Sequence, residues 1–218
     1  MEPLTLLIFG VQTYLGQEVA RLGRAIGHHV IAVSDEVVPR PHAPWVAGVQ
    51  WVQASAFEPD RWGVTQTPQA VIYCATTFFD DARGRLERHN VEGVRGLIGA
   101  GSLAKSRIVY RSAALTPLVP SFYVQSTRRA EALLAEHHPD HVSLRLPLIY
   151  GSDRPDSVLG AAIVGLAASL RPKIYAPPMR VETAAIALLR AALEPEHQGV
   201  LLATEVATLG DAMYAQTR

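Results

Sequence analysis

The polarity pattern opens with an apolar run, Leu4 to Phe9, followed by a turn from Gly10 to Gly16. Apolar residues then recur at Leu15, Val19, Leu22 and Ile26 before a second apolar run, Val30 to Val33. Steps of four, three and four residues put one stripe along a helix. Gly27 follows the stripe, and glycine ends a helix in the left-handed conformation without a Cβ penalty. Leu4–Asp35 is therefore expected to fold as strand, turn, helix, strand. Further strands are predicted at Val49–Val52, Ala70–Ala75, Arg107–Arg111 and Val142–Leu146, with a late strand at Val200–Thr204. The unbroken run at Ala70–Ala75 suits a strand covered on both faces. A brief helix is expected around Pro59. Longer helices are expected at Asp80–Ser102, with Leu86, Val91, Val94, Leu97 and Ile98 inward, and at Phe122–His137, Ser157–Leu170 and Glu182–Leu193. Glu36–Pro44, with three prolines, and Pro147–Pro155 read as loops.

Strands that alternate with helices from Leu4 to about Leu146 imply an α/β fold with a doubly wound parallel sheet. Ligands bind such sheets beyond the carboxyl ends of the strands. The loops of interest are Gly10–Gly16, Ser34–Asp35, Ala75–Phe79, Ser112–Tyr123 and Pro147–Asp156. Residues 1–218 are read as one domain, with the part from about residue 147 forming a small C-terminal cap on the substrate side.

Composition narrows the function. Of 218 residues nearly half are hydrophobic, and the formal net charge is zero. That argues against a nucleic-acid partner, which calls for a basic excess, and against disorder. The single cysteine, Cys74, lies inside an apolar run, so a core thiol is expected rather than a nucleophile. The start, MEPLTLL, lacks a basic region followed by a long apolar stretch, so no signal peptide is expected. The weakly polar segment Val158–Leu170 is shorter than the about 20 residues of a membrane span. A cytoplasmic protein is the expectation. His137, His138 and His141 are expected at a solvated helix end rather than on a metal, because Pro139 interrupts any common helical face. Trp45, Trp51 and Trp62 are expected to pack.

The first turn carries the candidate chemistry. Gly10 suits a sharp exit from the strand, and Gly16 lets the following helix lie close to the sheet. Thr13 stands between them, where backbone must approach a phosphate; its hydroxyl is one candidate phosphate donor. Asp35, at the end of the second strand, would accept from a ribose hydroxyl and repel a 2′-phosphate.

Several segments resemble one family in the right order. IFGVQTYLG resembles the Gly-rich turn of the short-chain dehydrogenase/reductase superfamily, in its extended and atypical, epimerase- and dehydratase-like branch. NVEGVRGLI, from Asn90, resembles that family's fourth-helix signature, with Asn90 serving the backbone at a helix irregularity. RIVYRSAA resembles the strand that ends in the catalytic serine, at Ser112. YVQSTRRAEALL resembles the helix of the catalytic tyrosine, at Tyr123. SLRLPLIYG and PPMRVETAAIALL resemble the later segments.

The resemblance implies a Rossmann fold that binds NAD(P) through Gly10, Thr13, Tyr14, Leu15, Gly16, Asp35 and Ala75, with NAD(H) expected over NADP(H). It implies an oxidoreductase or epimerase acting on a small carbonyl or hydroxyl compound. In the family a lysine four residues after the tyrosine makes it useful at neutral pH, since an unperturbed tyrosine titrates near about 10. Here that position is Thr127. Arg128 is adjacent, but one helical residue turns a side chain by about 100°. Thr13 replaces a glycine, and Ser55 stands where relatives carry an aspartate facing adenine. These departures keep a second reading open: a non-catalytic Rossmann protein with a structural or nucleotide-sensing role, with or without bound nucleotide. Such relatives include the complex I accessory subunit and a protein associated with ubiquinone synthesis.

Overall fold

The computed structural model describes residues 2–35, 44–65, 67–76, 87–117, 119–151 and 155–215. The loop expected over Glu36–Pro44 lies outside these residues as far as position 43. So do the start of the helix expected at Asp80, with Leu86, and the end of the loop that runs to Phe79.

Seven parallel strands form the main sheet: β1 (Thr5–Phe9), β2 (His29–Ser34), β3 (Val49–Gln53), β4 (Ala70–Tyr73), β5 (Arg107–Ala113), β6 (His141–Leu146) and β9 (Gly199–Leu201). Their order is β3-β2-β1-β4-β5-β6-β9. The chain winds outward from β1 in one direction and then from β4 in the other, so a crevice opens between β1 and β4. Strand side chains alternate between two cores. Leu6, Ile8, Ile72 and Val109 enter one, and Leu7, Phe9, Tyr73 and Tyr110 enter the other. Burial on both faces explains why these strands read as unbroken apolar runs.

Helix α1 (Tyr14–Ala25) begins at an N-cap, Thr13. Gly27, at φ +95°, ends it as expected. Ile26 departs from the predicted stripe: it is the C-cap and stands 47% exposed, because the chain is already leaving the helix there. On the second face, residues Arg88–Glu92 wind as a π turn that runs into α2 (Gly93–Gly99). This helix ends before the predicted Ser102, in a 3-10 turn at Gly101–Leu103. Two glycines of α2's segment permit close packing. A Cβ on Gly93 would land on the Tyr73 hydroxyl, and one on Gly96 on the Ala56 carbonyl oxygen. Helix α3 (Ser121–His137) packs beside them against β5.

After residue 147 the chain divides. Strands β7 (Ile149–Tyr150) and β8 (Met179–Arg180) form a separate parallel pair, and α4 (Pro155–Ser169) contacts β7. By contrast, α5 (Val181–Leu193) lies against α1 and strands β4 to β6, buried on most of its surface. The late strand β9 completes the main sheet, and α6 (Ala203–Ala215) packs on α5. Helix α6 has no counterpart in the sequence reading, which carried the strand on to Thr204. The Leu202 amide donates to Glu205 Oε2 at 2.7 Å, and that bond turns the chain into a helix immediately after the strand.

His137, the last residue of α3, is exposed as expected, but the other two histidines are not. His138 and His141 are buried, 6% and 8% exposed. His138 Nε2 lies 2.8 Å from the Ser106 carbonyl oxygen, and His141 Nδ1 lies 2.7 Å from that of His138. They fasten the end of α3 to the strand edge rather than facing solvent. Trp62 packs as expected, fully buried, its ring edge-on to Phe9 at 5.0 Å.

Candidate functional site

The turn after β1 is built around backbone contact. Gly10 adopts φ +84°, and a Cβ there would strike the backbone of Cys74 and Ala75 at the end of β4. A Cβ on Gly16 would strike the Gly10 carbonyl oxygen. Only glycine fits either place for reasons of space, and at Gly10 for conformation as well. Thr13 Oγ1 donates to the Gly10 carbonyl oxygen at 2.7 Å and accepts from the Gly16 amide at 3.0 Å. Here the hydroxyl bonds within the turn, and the residue acts as helix cap. The Leu15 side chain belongs to the core at 4% exposure, so only its amide is available to a ligand. The Tyr14 ring reaches across to β7, where its hydroxyl lies over Gly151.

Asp35 ends β2 on the rim of a cleft of about 840 Å³, which Ser55, Phe57, Arg61, Arg88 and His89 also line. Its carboxylate accepts from Gln12 Nε2 at 2.9 Å, and His89 Nδ1 stands 3.6 Å away. A second, smaller hollow connects Asp35 to Gly10, Ala75 and Tyr73. Gln12 Oε1, buried there, has no hydrogen-bond partner. The Arg88 guanidinium lies 5.3 Å over the Phe57 ring. Glycine turn, Asp35, Ala75 and cleft thus lie along one continuous edge. Its residues fit a dinucleotide: turn amides for the pyrophosphate, the Asp35 carboxylate for a ribose hydroxyl.

Ser112 and Tyr123 lie further along the same edge, at the end of β5 and in the first turn of α3. Both are buried, 1% and 3% exposed. Tyr123 packs with Ala113 and Val124. Ser112 donates to Glu131 Oε1 in a short hydrogen bond and accepts from Arg128 Nη1 at 2.9 Å. Arg128 also donates to Glu131 Oε1 at 2.6 Å and to the Ala113 carbonyl oxygen at 2.7 Å. Arg145, beside Ser112 on β6, holds the same carboxylate with bonds of 3.1 and 2.7 Å. Burial pushes the Glu131 carboxyl up, but the hydrogen bonds from Arg145 and Ser112 and the two guanidinium charges outweigh it, so it titrates below the usual range. The same carboxylate raises Arg145.

Thr127, at the family's lysine position, is fully buried with its hydroxyl on the Val124 carbonyl oxygen. Arg128 does not take the lysine's place at the tyrosine; its guanidinium is committed to Ser112, Ala113 and Glu131. Asn90 lies in the π turn, where its side-chain amide donates to Ser126 Oγ at 2.8 Å.

Sequence reasoning did not single out Glu131, Gln12 or His89. For Glu131 one signal existed: the i, i+3 spacing from Arg128 on a helix already assigned. Gln12 and His89 reach Asp35 through the tertiary fold and left no local signal. Among the described residues, the one group of acidic and histidine side chains close enough to share an ion is Glu194, Glu196 and His197. Glu194 there is already bound by Arg190 at 2.6 Å. No described helix is long and apolar enough to cross a membrane.

No protein-family profile matches the chain, and no curated protein matches it. Solved structures do. The enzyme WbmG of Bordetella bronchiseptica, solved with NAD, superposes with a TM-score of 0.68 at 18% identity, over 99% of this chain and 79% of that one. A short-chain dehydrogenase/reductase superfamily protein of Agrobacterium tumefaciens with bound NAD gives 0.65 at 21%, over 98% and 83%. UDP-glucose 4-epimerase of Brucella ovis with NAD gives 0.65 at 18%, over 91% and 76%. At these identities the likeness is one of fold, and the fold is the Rossmann architecture that the sequence resemblance implies.

Proposed function

We propose that this chain, which shares its fold with NAD-bound epimerases and short-chain dehydrogenases, is an NAD(H)-binding oxidoreductase or epimerase acting on a small carbonyl or hydroxyl compound. One observation carries the reading: a glycine turn at the sheet's switch point runs into a cleft rimmed by Asp35. The turn amides would face the pyrophosphate, and Asp35 would accept from the adenosine ribose. Its carboxylate favours NAD(H) over NADP(H), since it would meet a 2′-phosphate with like charge. Bound nicotinamide supplies hydride chemistry. Tyr123 would hold or move the proton at the substrate oxygen, and Ser112 would orient that oxygen.

Thermal melting with NADH, NADPH or neither is the first test, because a ligand selective for the native state raises the transition. NADH is expected to raise Tm more than NADPH, and Gly10→Ala is expected to abolish the shift. No shift with either nucleotide sinks the reading. Thr13→Gly is expected to tighten binding at the expense of the helix cap. Turnover across a panel of simple carbonyls, compared between wild type and Tyr123→Phe, tests the chemistry; unchanged turnover in the variant removes Tyr123 from it.

A nucleotide-sensing role is the second reading, and a specific observation favours it. The Ser112 hydroxyl is engaged by Glu131 and Arg128, and Thr127 offers no charge to Tyr123. Nucleotide binding without turnover on any carbonyl, in wild type and in Thr127→Lys alike, supports this reading over the first.

A further inference from the structure

Helix α4 wears its large side chains on the outside. Its buried stripe consists of small residues, Ala161, Val164 and Ala168. The opposite stripe is Leu159, Ile163 and Leu166, continued by Leu170 one residue past the helix end, exposed by 67, 57, 71 and 78%. A soluble helix ordinarily shows the reverse arrangement. From Ser157 to Leu170 there is no charged residue. The outward faces of α1, α3 and α5 all carry charges.

We infer that α4 is the seam of a homodimer, with α4 of a second copy as its occupant. The spacing of the exposed stripe is four, three, four. That is the a/d repeat by which two helices interlock knobs into holes, with isoleucine and leucine in the seam. The repeat is self-complementary about its midpoint. In an antiparallel pair related by a two-fold axis, Leu159 meets Leu170, and Ile163 meets Leu166 of the other copy, so one patch serves both sides. Gly160, Ala162 and Ala167 flank the stripe and allow the two backbones to approach.

Charge selects the same partner. A stripe with neither sign of charge matches another such stripe. A helix lying on a lipid surface would instead carry lysine and arginine along its polar face, and α4 has none. Arg171 and Lys173 follow the helix at one end only, and the antiparallel arrangement keeps the two pairs apart. The area is of the right size. The four side chains expose on the order of 500 Å² of carbon, the scale at which an apolar patch marks an interaction site. Val158 and Ile174, 43 and 53% exposed, extend it toward the about 800 Å² per partner of a standard interface.

Sedimentation velocity across micromolar concentrations tests the inference. Wild type is expected to run as a dimer. Ile163→Lys and Leu166→Lys, at positions 57 and 71% exposed, are expected to run as monomers with unchanged far-UV circular dichroism, the dimer Kd rising at least about 100-fold. Because the chain's own thiol is buried, introduced cysteines report alone. The pair Leu159→Cys with Leu170→Cys in one chain is expected to form a disulfide-linked dimer in air, and neither single change is expected to do so. A wild type that stays monomeric, or lysine variants that stay dimeric, overturns the inference. A monomer that cosediments with phosphatidylcholine vesicles overturns it in favour of a lipid surface.

Discussion

Glu131 answers to three partners, and its substitution separates structure from chemistry. It is 6% exposed, between Arg128 and Arg145 at 29 and 27%. Glu131→Gln leaves two guanidinium groups short of their counter-charge, and removing one member of a largely buried pair is costly. We expect a loss of about 2–4 kcal/mol in denaturant unfolding, allowing for partial solvent access of the arginines. The pH dependence has a defined sign. The folded-state pKa of Glu131 lies below its unfolded value, so its contribution is fully present above the unfolded carboxylate range. It fades as pH falls through the folded value. Wild type should therefore lose more stability than Glu131→Gln on acidification below the carboxylate range, measured as Tm against pH. Equal slopes would show that the carboxylate gains nothing from its partners.

Between elements, glycines decide how closely helices lie. Gly96→Ala would press a methyl group into the Ala56 carbonyl oxygen, a backbone atom that cannot swing aside. We expect a loss of about 1–3 kcal/mol. Gly99→Ala, three residues on, meets nothing within 4 Å and should stabilise α2 by about 0.5–1 kcal/mol. Chemical denaturation of both variants checks the pair. This contrast also marks what the sequence made legible. The strands of the main sheet and α1, α3 and α5 were readable because their apolar runs and stripes carry a period. The β7–β8 pair was not, since two-residue strands some thirty positions apart leave no local pattern. Helix α6 was missed because the strand before it runs into the helix across a single residue. Of the site, the glycine turn, Asp35, Ser112 and Tyr123 were readable as motif positions. The contacts of Asp35 with Gln12 and His89, and of Ser112 with Glu131, depend on the packing of β2, α2 and α3, which no short window records.

At the scale of the molecule, Arg107 joins distant parts of the chain. At 5% exposure it donates to the carbonyl oxygens of Ala191, at the end of α5, and of His197, and it pairs with Asp140 before β6. Arg107→Met keeps the stem and removes these links, together with the bond to the Glu194 carbonyl oxygen. We expect a loss of about 3 kcal/mol, with hydrogen exchange rising first in β9 and α6. Cys74, at the heart of the sheet, has a consequence of its own. It is wholly enclosed, and burial drives its thiol up to about 12. A disulfide reagent can reach that sulfur only when the strands part. The chain therefore carries one internal clock: the rate at which Cys74 is labelled in native buffer, followed by absorbance, times the opening of the whole fold. A nucleotide that grips the neighbouring Gly10 turn should slow that clock in proportion to its hold.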